Sequence, residues 1–267
     1  MAMRLRQDEA LLHPELDLSQ GLDVAEVRQL PEALRSRGLG DFLKQCGVKE
    51  PDAAHIAQAE ALAEKLELPL EVYDFTLPTV REKDAVFGEG DIVVCGTPVI
   101  AGRVPNVLLP YLTGKVKGNG ALAVPVVSYG NRNFDDALME LRNILEEDGF
   151  RTVAGGAFIS EHSFSKTLAA GRPDAKDIAV MQEFGTKIAE KLMSGWEYAA
   201  PAFVKGNDPI HPYYKPQDRN GNHIDIRKVK PKVNDDCCGC GICAEVCPIG
   251  SINPENTKEY LGICIKC

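Results

Sequence analysis

Seven of the nine cysteines in this 267-residue chain fall between Cys237 and Cys267. No other feature limits the fold as much. A disulfide framework spreads its cysteines through a small secreted domain. Here they crowd one end of a chain long enough for one large domain, or a medium domain and a small one. Cys237, Cys240, Cys243 and Cys247 are spaced C-x2-C-x2-C-x3-C, and Pro248 follows at once. This is the spacing of the bacterial run that holds a [4Fe–4S] cluster. Three thiolates must converge on three corners of a small cuboid, so the backbone has to wrap tightly. Gly239 and Gly241 permit dihedrals for that wrap that other residues avoid. The competing reading is a zinc knuckle, which calls for separated cysteine pairs or histidines. No His lies within 233–267. Cys238 stands between ligand positions and is expected to be a free thiol.

Cys264 and Cys267 begin a second C-x2-C run at the end of the chain. In two-cluster ferredoxins the fourth Cys of each run serves the other run's cluster. On that scheme Cys237, Cys240 and Cys243 hold one cluster, and Cys247, Cys264 and Cys267 hold the second. Each set is one cysteine short, so the natural chain is expected to continue past Cys267.

Composition narrows the classes further. The net charge of -9 argues against a nucleic-acid binder, which needs a basic face. Aromatics are 6%, too few to advertise a stacking platform for bases. No run of 18 apolar residues is present, so no transmembrane helix is expected. The first 20 residues lack the apolar stretch of a secretory signal, and a cytoplasmic protein is expected.

Ahead of the cysteines, residues 53–194 alternate strand and helix signals. Short apolar runs at 70–75, 91–96, 121–129 and 152–159 are strand candidates; Pro125 inside the third counts against an uninterrupted ladder. Residues 53–66, rich in Ala and Glu, predict a helix. So do 134–148, with Phe134, Leu138, Leu141 and Leu145 on one face, and 174–193, with Ile178, Met181, Gly185, Ile188 and Leu192 at helical spacing. Asp135 and Asp136 are expected in the first turn of the 134–148 helix, where the dipole favours acids, and Gly149 at its stop. The pattern predicts an α/β fold: an open parallel sheet with helices on both faces. Residues 195–232, with Pro201, Pro209, Pro212 and Pro216 and an Asn220–Gly221 turn signal, read as a linker. Residues 1–52 show no apolar strand-like run, only short helical segments at 24–30 and 33–46, and no assignable role.

Two Gly- and Asn-rich loops, 96–105 and 129–136, follow the strongest strands. Both fall at the carboxyl edge, where open α/β sheets bind ligands. With Glu161-His162-Ser163 and Gly171-Arg172-Pro173-Asp174, these loops resemble the flavodoxin-like domain of flavodoxin–ferredoxin fusion proteins, the EFR-type ferredoxins of anaerobic bacteria. The cysteine tail resembles the ferredoxin module of the same family. The resemblance covers residues 53–267, and it implies a flavodoxin-like domain at 53–194 followed by a ferredoxin-like module at 233–267.

It also implies an electron-transfer protein. FMN would sit between Thr97, Pro98, Val99, Ala101, Gly102 and Arg103 on one loop and Tyr129, Gly130, Asn131 and Asn133 on the other. The clusters would relay single electrons to or from it and to a redox partner protein. Two features depart from the family. Residues 44–52 contain no Ser/Thr-rich phosphate loop, and Ile100 stands where an aromatic is expected. An iron–sulfur flavoenzyme reducing a small substrate, and a fragmentary chain without cofactor, are the alternatives.

Several residues carry two readings. Glu161-His162 is either an acid/base pair or a strand-end polar pair fixing a loop. Arg103 meets either a phosphate or flavin carbonyl, or a surface carboxylate. Tyr129 either stacks on flavin or packs in the core. Cys95 is expected to be a buried small hydrophobe and Trp196 a packing anchor. His13, His55, His211 and His223 are expected at the surface, and Cys46 has no assignment.

Overall fold

Two strands that are apolar along nearly their whole length form the centre. They are β4 (Asp91–Pro98) and β6 (Leu122–Tyr129) of a computed structural model that describes residues 2–6, 53–235 and 237–265. The helical segments expected at 24–30 and 33–46, together with His13, Cys46 and Cys267, lie outside the described residues. β4 and β6 run parallel, in register from Ile92 opposite Leu122 to Pro98 opposite Ser128. Covered on both faces, they need no polar alternation. Beyond β6 lie β7 (Arg151–Thr152) and β8 (Gly156–Ile159), both parallel to it. One strand was expected over 152–159. Pro125, which has no N–H to donate, stands where the neighbour breaks: β7 pairs with residues 122–123 and β8 with 126–129.

On the other side of β4 lies β1 (Ala2–Arg6), followed by β2 (Leu70–Tyr73) at the sheet edge. β1 is antiparallel to both, with Ala2 opposite Cys95 and Tyr73, and Arg6 opposite Asp91. The expected parallel sheet is therefore corrected to a mixed one. The N-terminal stretch, expected to hold no strand, supplies an inner strand. Five residues are too few to show a period, and burial decides their role. Met3 is buried with one helix layer, while Arg4 bonds Asp91 at 3.0 Å and lies 4.8 Å over the Phe87 ring. A separate parallel pair joins β3 (Ala85–Val86) to β5 (Val116–Lys117).

Helices cover both faces. α1 (Ala53–Leu66) and α4 (Ala175–Met193) place Ala59, Leu62, Met181 and Ile188 against Met3, Val94, Val124 and Val126. α2 (Leu109–Lys115) and α3 (Ala137–Glu147) place Tyr111, Leu112, Leu138, Leu141 and Leu145 against Val93, Cys95, Ala123 and Val127. α4 begins at a capping box. Asp174 accepts from the amides of Lys176 and Asp177 at 2.8 and 3.0 Å, and Asp177 accepts from the Asp174 amide at 2.8 Å. α3 starts later than the sequence suggested. Asp135 is left-handed at φ 43° and lies outside the helix; Asp136 sits at its N-cap, where its carbonyl accepts from the Glu140 amide at 2.8 Å but its side chain does not cap the first turn. Among the described residues no helix is long and apolar enough to cross a membrane.

Candidate functional site

The loops expected to form a site do meet at the carboxyl edge. The amide of Asp136 donates to the Gly102 carbonyl at 3.0 Å. The loop after β4 closes on itself through Ile100 N to Arg103 O at 3.0 Å and Arg103 N to Ile100 O at 3.1 Å. Ala101 (φ 53°) and Gly102 (φ 80°) are both left-handed at its tip, as a tight turn of this hand requires. A side chain at 102 would press on Asp135, with its Cβ 2.7 Å from a carboxylate oxygen. Gly130 is as close to the third loop: a Cβ there would stand 2.7 Å from the Cα of His162.

Most side chains named for this edge are engaged inside the protein. Thr97 is buried, Pro98 is exposed, and Val99 packs on the core. The Tyr129 ring meets Phe134 edge-on at 5.4 Å, which matches its packing reading. Asn131 is left-handed at φ 57°, and Asn133 accepts from the Asp135 amide at 3.1 Å. His162 Nδ1 accepts from the amides of Phe164 and Ser165 at 3.0 and 3.2 Å. That leaves the proton of a neutral ring on Nε2 and gives His162 a loop-fixing role.

Of its two readings Arg103 makes the ion pair, but with a buried carboxylate and not one at the surface. Its Nε and Nη2 grip the Glu140 carboxylate at 2.6 and 2.5 Å, and Nη1 donates to the His211 carbonyl at 2.6 Å. The guanidinium lies 4.6 Å over the Tyr213 ring. Glu140, only 4% exposed, also accepts from the Val104 amide at 2.9 Å. The hydrogen bonds to Glu140 push the Arg103 guanidinium further up. Burial, with Glu140 beside it, pushes the Tyr213 phenol up to about 12.

The stretch expected as a linker is fastened to this edge. Buried Asp136 accepts from Asn207 N (2.9 Å), Asn207 Nδ2 (2.7 Å) and His211 N (2.7 Å), with His211 Nδ1 at 3.0 Å. Burial pushes the Asp136 carboxyl up. The bonds from His211 and Asn207 outweigh it and hold the group below its usual range. Tyr213 Oη donates to the Val104 carbonyl at 2.6 Å, and Tyr214 N to the Ala101 carbonyl at 3.0 Å. Prolines marked the absence of regular structure here, not the absence of contacts. Glu140, Asn207 and Tyr213 carried no local signal, because their partners are 36 to 109 residues away.

Gly239 (φ 69°) and Gly241 (φ 82°) are left-handed, and Gly241 caps a single turn, α5 (Ile242–Glu245). The described cysteines are all unpaired. Cys238, Cys240 and Cys243 are exposed, Cys237, Cys247 and Cys264 are half-buried, and Cys95 is buried in the sheet. Burial pushes the Cys95 thiol up to about 11, as suits a small hydrophobe. Cys247 Sγ accepts from the Ser251 amide at 3.2 Å. The Gly239 amide, then the Thr257 hydroxyl, hold the Cys237 thiol below its ordinary value. Unpaired thiols facing N–H and O–H donors fit a cluster's ligands in chemistry. Among the described residues, however, no three His, Cys, Asp or Glu side chains stand close enough to hold a metal ion. The convergence expected of Cys237, Cys240 and Cys243 is not preformed. Sites whose ligands gather only on binding couple metal uptake to folding.

A family model described as the TilS substrate-binding domain matches residues 22–69, less than one-fifth of the chain. Its described portion is α1 and the turn after it. No curated protein matches. No flavodoxin or ferredoxin family model matches either, and the resemblance to the flavodoxin–ferredoxin fusion family is corrected accordingly. The loops that carried it are short and rich in Gly and Asn, a composition that serves any tight turn at a sheet edge. The chain is similar to the TilS substrate-binding domain over 22–69, and the rest of its length has no matching family.

Proposed function

We propose that this chain is an electron-transfer protein whose C-terminal cysteines hold one or two [4Fe–4S] clusters. The observation that carries the reading is the C-x2-C-x2-C-x3-C-Pro run, with both of its internal glycines in the left-handed conformation. Cys237, Cys240 and Cys243 form one ligand set, and Cys247, Cys264 and Cys267 belong to the second. When bound, a cluster supplies reversible one-electron transfer. The protein supplies thiolates, hydrogen bonds to sulfur and a fixed position. The Ser251 amide donates to Cys247 Sγ, and the Gly239 amide and Thr257 hydroxyl hold the Cys237 thiol below its ordinary value, toward the thiolate that ligation needs. Arg81 ties the run to the α/β body: Nη2 donates to the Pro248 carbonyl at 2.5 Å, while Nη1 holds the carbonyls of Phe75 and Thr76 at 3.0 and 2.7 Å. The exposed face of Cys238, Cys240 and Cys243 is where a redox partner protein would exchange electrons.

FMN is a separable addition to this reading, and its seat would be the carboxyl edge of the sheet. Arg103 is committed there to Glu140 and does not present its guanidinium to a flavin.

The test is the absorption spectrum, iron content and sulfide content of the full chain purified without oxygen, before and after dithionite. Broad visible absorption that bleaches supports the cluster reading, and structured flavin bands on top of it would add FMN. A colourless chain that stays so after reconstitution with iron and sulfide overturns the proposal.

A further inference from the structure

We infer that His211 is a nucleophilic site that takes a phosphoryl group on Nε2 from a donor with a good leaving group. The site lies on the α/β body and the segment fastened over its sheet edge, and it needs no cluster. Two histidines near this edge are fixed in opposite ways. His162 Nδ1 accepts from two amides, so a neutral ring keeps its proton on Nε2 and has no lone pair to offer. His211 Nδ1 lies 3.0 Å from Asp136 Oδ2. Against burial, the His211 and Asn207 donors hold that carboxyl below its ordinary range, so it is ionised and only accepts. Nδ1 then carries the proton of the neutral ring, and Nε2 keeps a lone pair.

The pair is built around a buried group. Asp136 is 1% exposed, and its oxygens are divided: Oδ1 takes the amide and side chain of Asn207, and Oδ2 the amide and ring of His211. Residue 211 is pinned again by Arg103 Nη1 on its carbonyl at 2.6 Å. The His211 side chain itself is 70% exposed. Among the described residues no hydroxyl, thiol or carboxylate bonds Nε2. The imidazole is therefore itself the nucleophile, and not a base for a neighbouring side chain. Two exposed cations are carried by the same segments. Lys205 Nζ lies 5.6 Å over the Phe134 ring, just before Asp136 in the chain, and the Arg132 guanidinium 5.2 Å over the Tyr214 ring, just after His211. Neither forms an ion pair among the described residues. An aromatic face places a cation without using its N–H donors, which stay open to an anion. Those charges favour an anionic phosphoryl donor over a neutral acyl one.

In the transfer, the Nε2 lone pair forms the N–P bond. The bond from phosphorus to the leaving group breaks, and its electron pair departs with that group. The Nδ1 proton stays on the ring. The positive charge that forms on the imidazole is offset by Asp136, a positioning residue that touches no reacting atom.

The experiment treats the full chain with potassium phosphoramidate, whose leaving group is ammonia, and follows each histidine by mass spectrometry at neutral pH. His223, exposed and bonded to no carboxylate among the described residues, is the reference within the same molecule. His211 should react roughly tenfold faster than His223, and His162 slower than both. The product should be on Nε2 alone, as read by NMR of chain carrying nitrogen-labelled histidine. Asp136→Asn should bring His211 to within about twofold of His223 and leave His223 unchanged. Arg132→Gln together with Lys205→Gln should slow phosphoramidate at His211 by roughly threefold or more. The same pair should leave the rate with uncharged diethyl pyrocarbonate unchanged. A wild-type His211 no faster than His223, or one modified on Nδ1, overturns the inference without recourse to any variant. So does an unchanged ratio of the two histidines in Asp136→Asn. An equal effect on both reagents, or none on either, overturns the phosphoryl assignment.

Discussion

Glu140 is a buried carboxylate with three donors on it, two from Arg103 and one from the Val104 amide. Its charge is compensated only while Arg103 stays in place. Removing one partner of a buried pair costs about 3–5 kcal/mol, since the other is left uncompensated. Arg103 keeps some solvent, so Glu140→Ala should cost about 3 kcal/mol in urea unfolding. A loss well under about 1 kcal/mol would show the pair to be solvent-screened. Asp136 adds a pH dependence whose sign follows from its environment. Its folded pKa lies below the unfolded one, so its contribution is complete above the unfolded pKa and disappears as pH falls through the folded one. Asp136→Asn should therefore flatten the loss of stability below about pH 4, read as urea midpoints from pH 6 to 3. An unchanged acid slope would mean that the His211 and Asn207 bonds do not bias the carboxyl. None of these partnerships has a signature along the chain. Arg103 reads as a lone cation in a Gly-rich loop, and Asp136 as a helix-start acid, until the fold brings residues 140, 207 and 211 beside them.

At the scale of elements, α1 and α4 touch backbone to backbone. A Cβ on Gly185 would stand 2.2 Å from the Gln58 carbonyl. Gly185→Ala should force the helices apart and cost about 1–3 kcal/mol, despite the better intrinsic helix propensity of Ala. A stabilised variant, by thermal or urea unfolding, would refute that contact. β1 sits between β2 and β4, so deleting residues 1–6 uncovers two strand edges at once. The shortened chain should aggregate, as judged by light scattering at a concentration where the full chain stays monodisperse. β4, β6 and α4 were readable in advance because each is long enough to display its period. β1 was not, because five residues at a charged N-terminus show no pattern until β2 and β4 flank them. The break between β7 and β8 falls opposite Pro125, whose effect on the ladder was foreseen although its location was not.

At the scale of the molecule, Arg81 joins the α/β body to the cysteine run, through the carbonyls of Phe75, Thr76 and Pro248. Hydrogen bonds from a charged donor are worth about 1.5–3 kcal/mol each at most, and these are partly exposed. Arg81→Ala should therefore loosen the tail without unfolding the body. Hydrogen exchange should rise at residues 247–251 and stay unchanged in β4 and β6. Equal exchange across the chain would show that the tail is held by other contacts. What the amino-acid sequence determined by itself is everything that depends on neighbours along the chain: the double-sided apolar strands, the helix faces of α3 and α4, the capping box at Asp174, and a thiolate spacing suited to one cluster. What only the tertiary structure decided is the direction of β1, the commitment of Arg103 to Glu140, the fastening of residues 207–214 over the sheet edge and the approach of Thr257 to Cys237. Periodicity and spacing act over one or two turns of chain and leave a local trace. Ion pairs, ladders and sulfur contacts that close loops of 20 to 109 residues leave none until the core has formed.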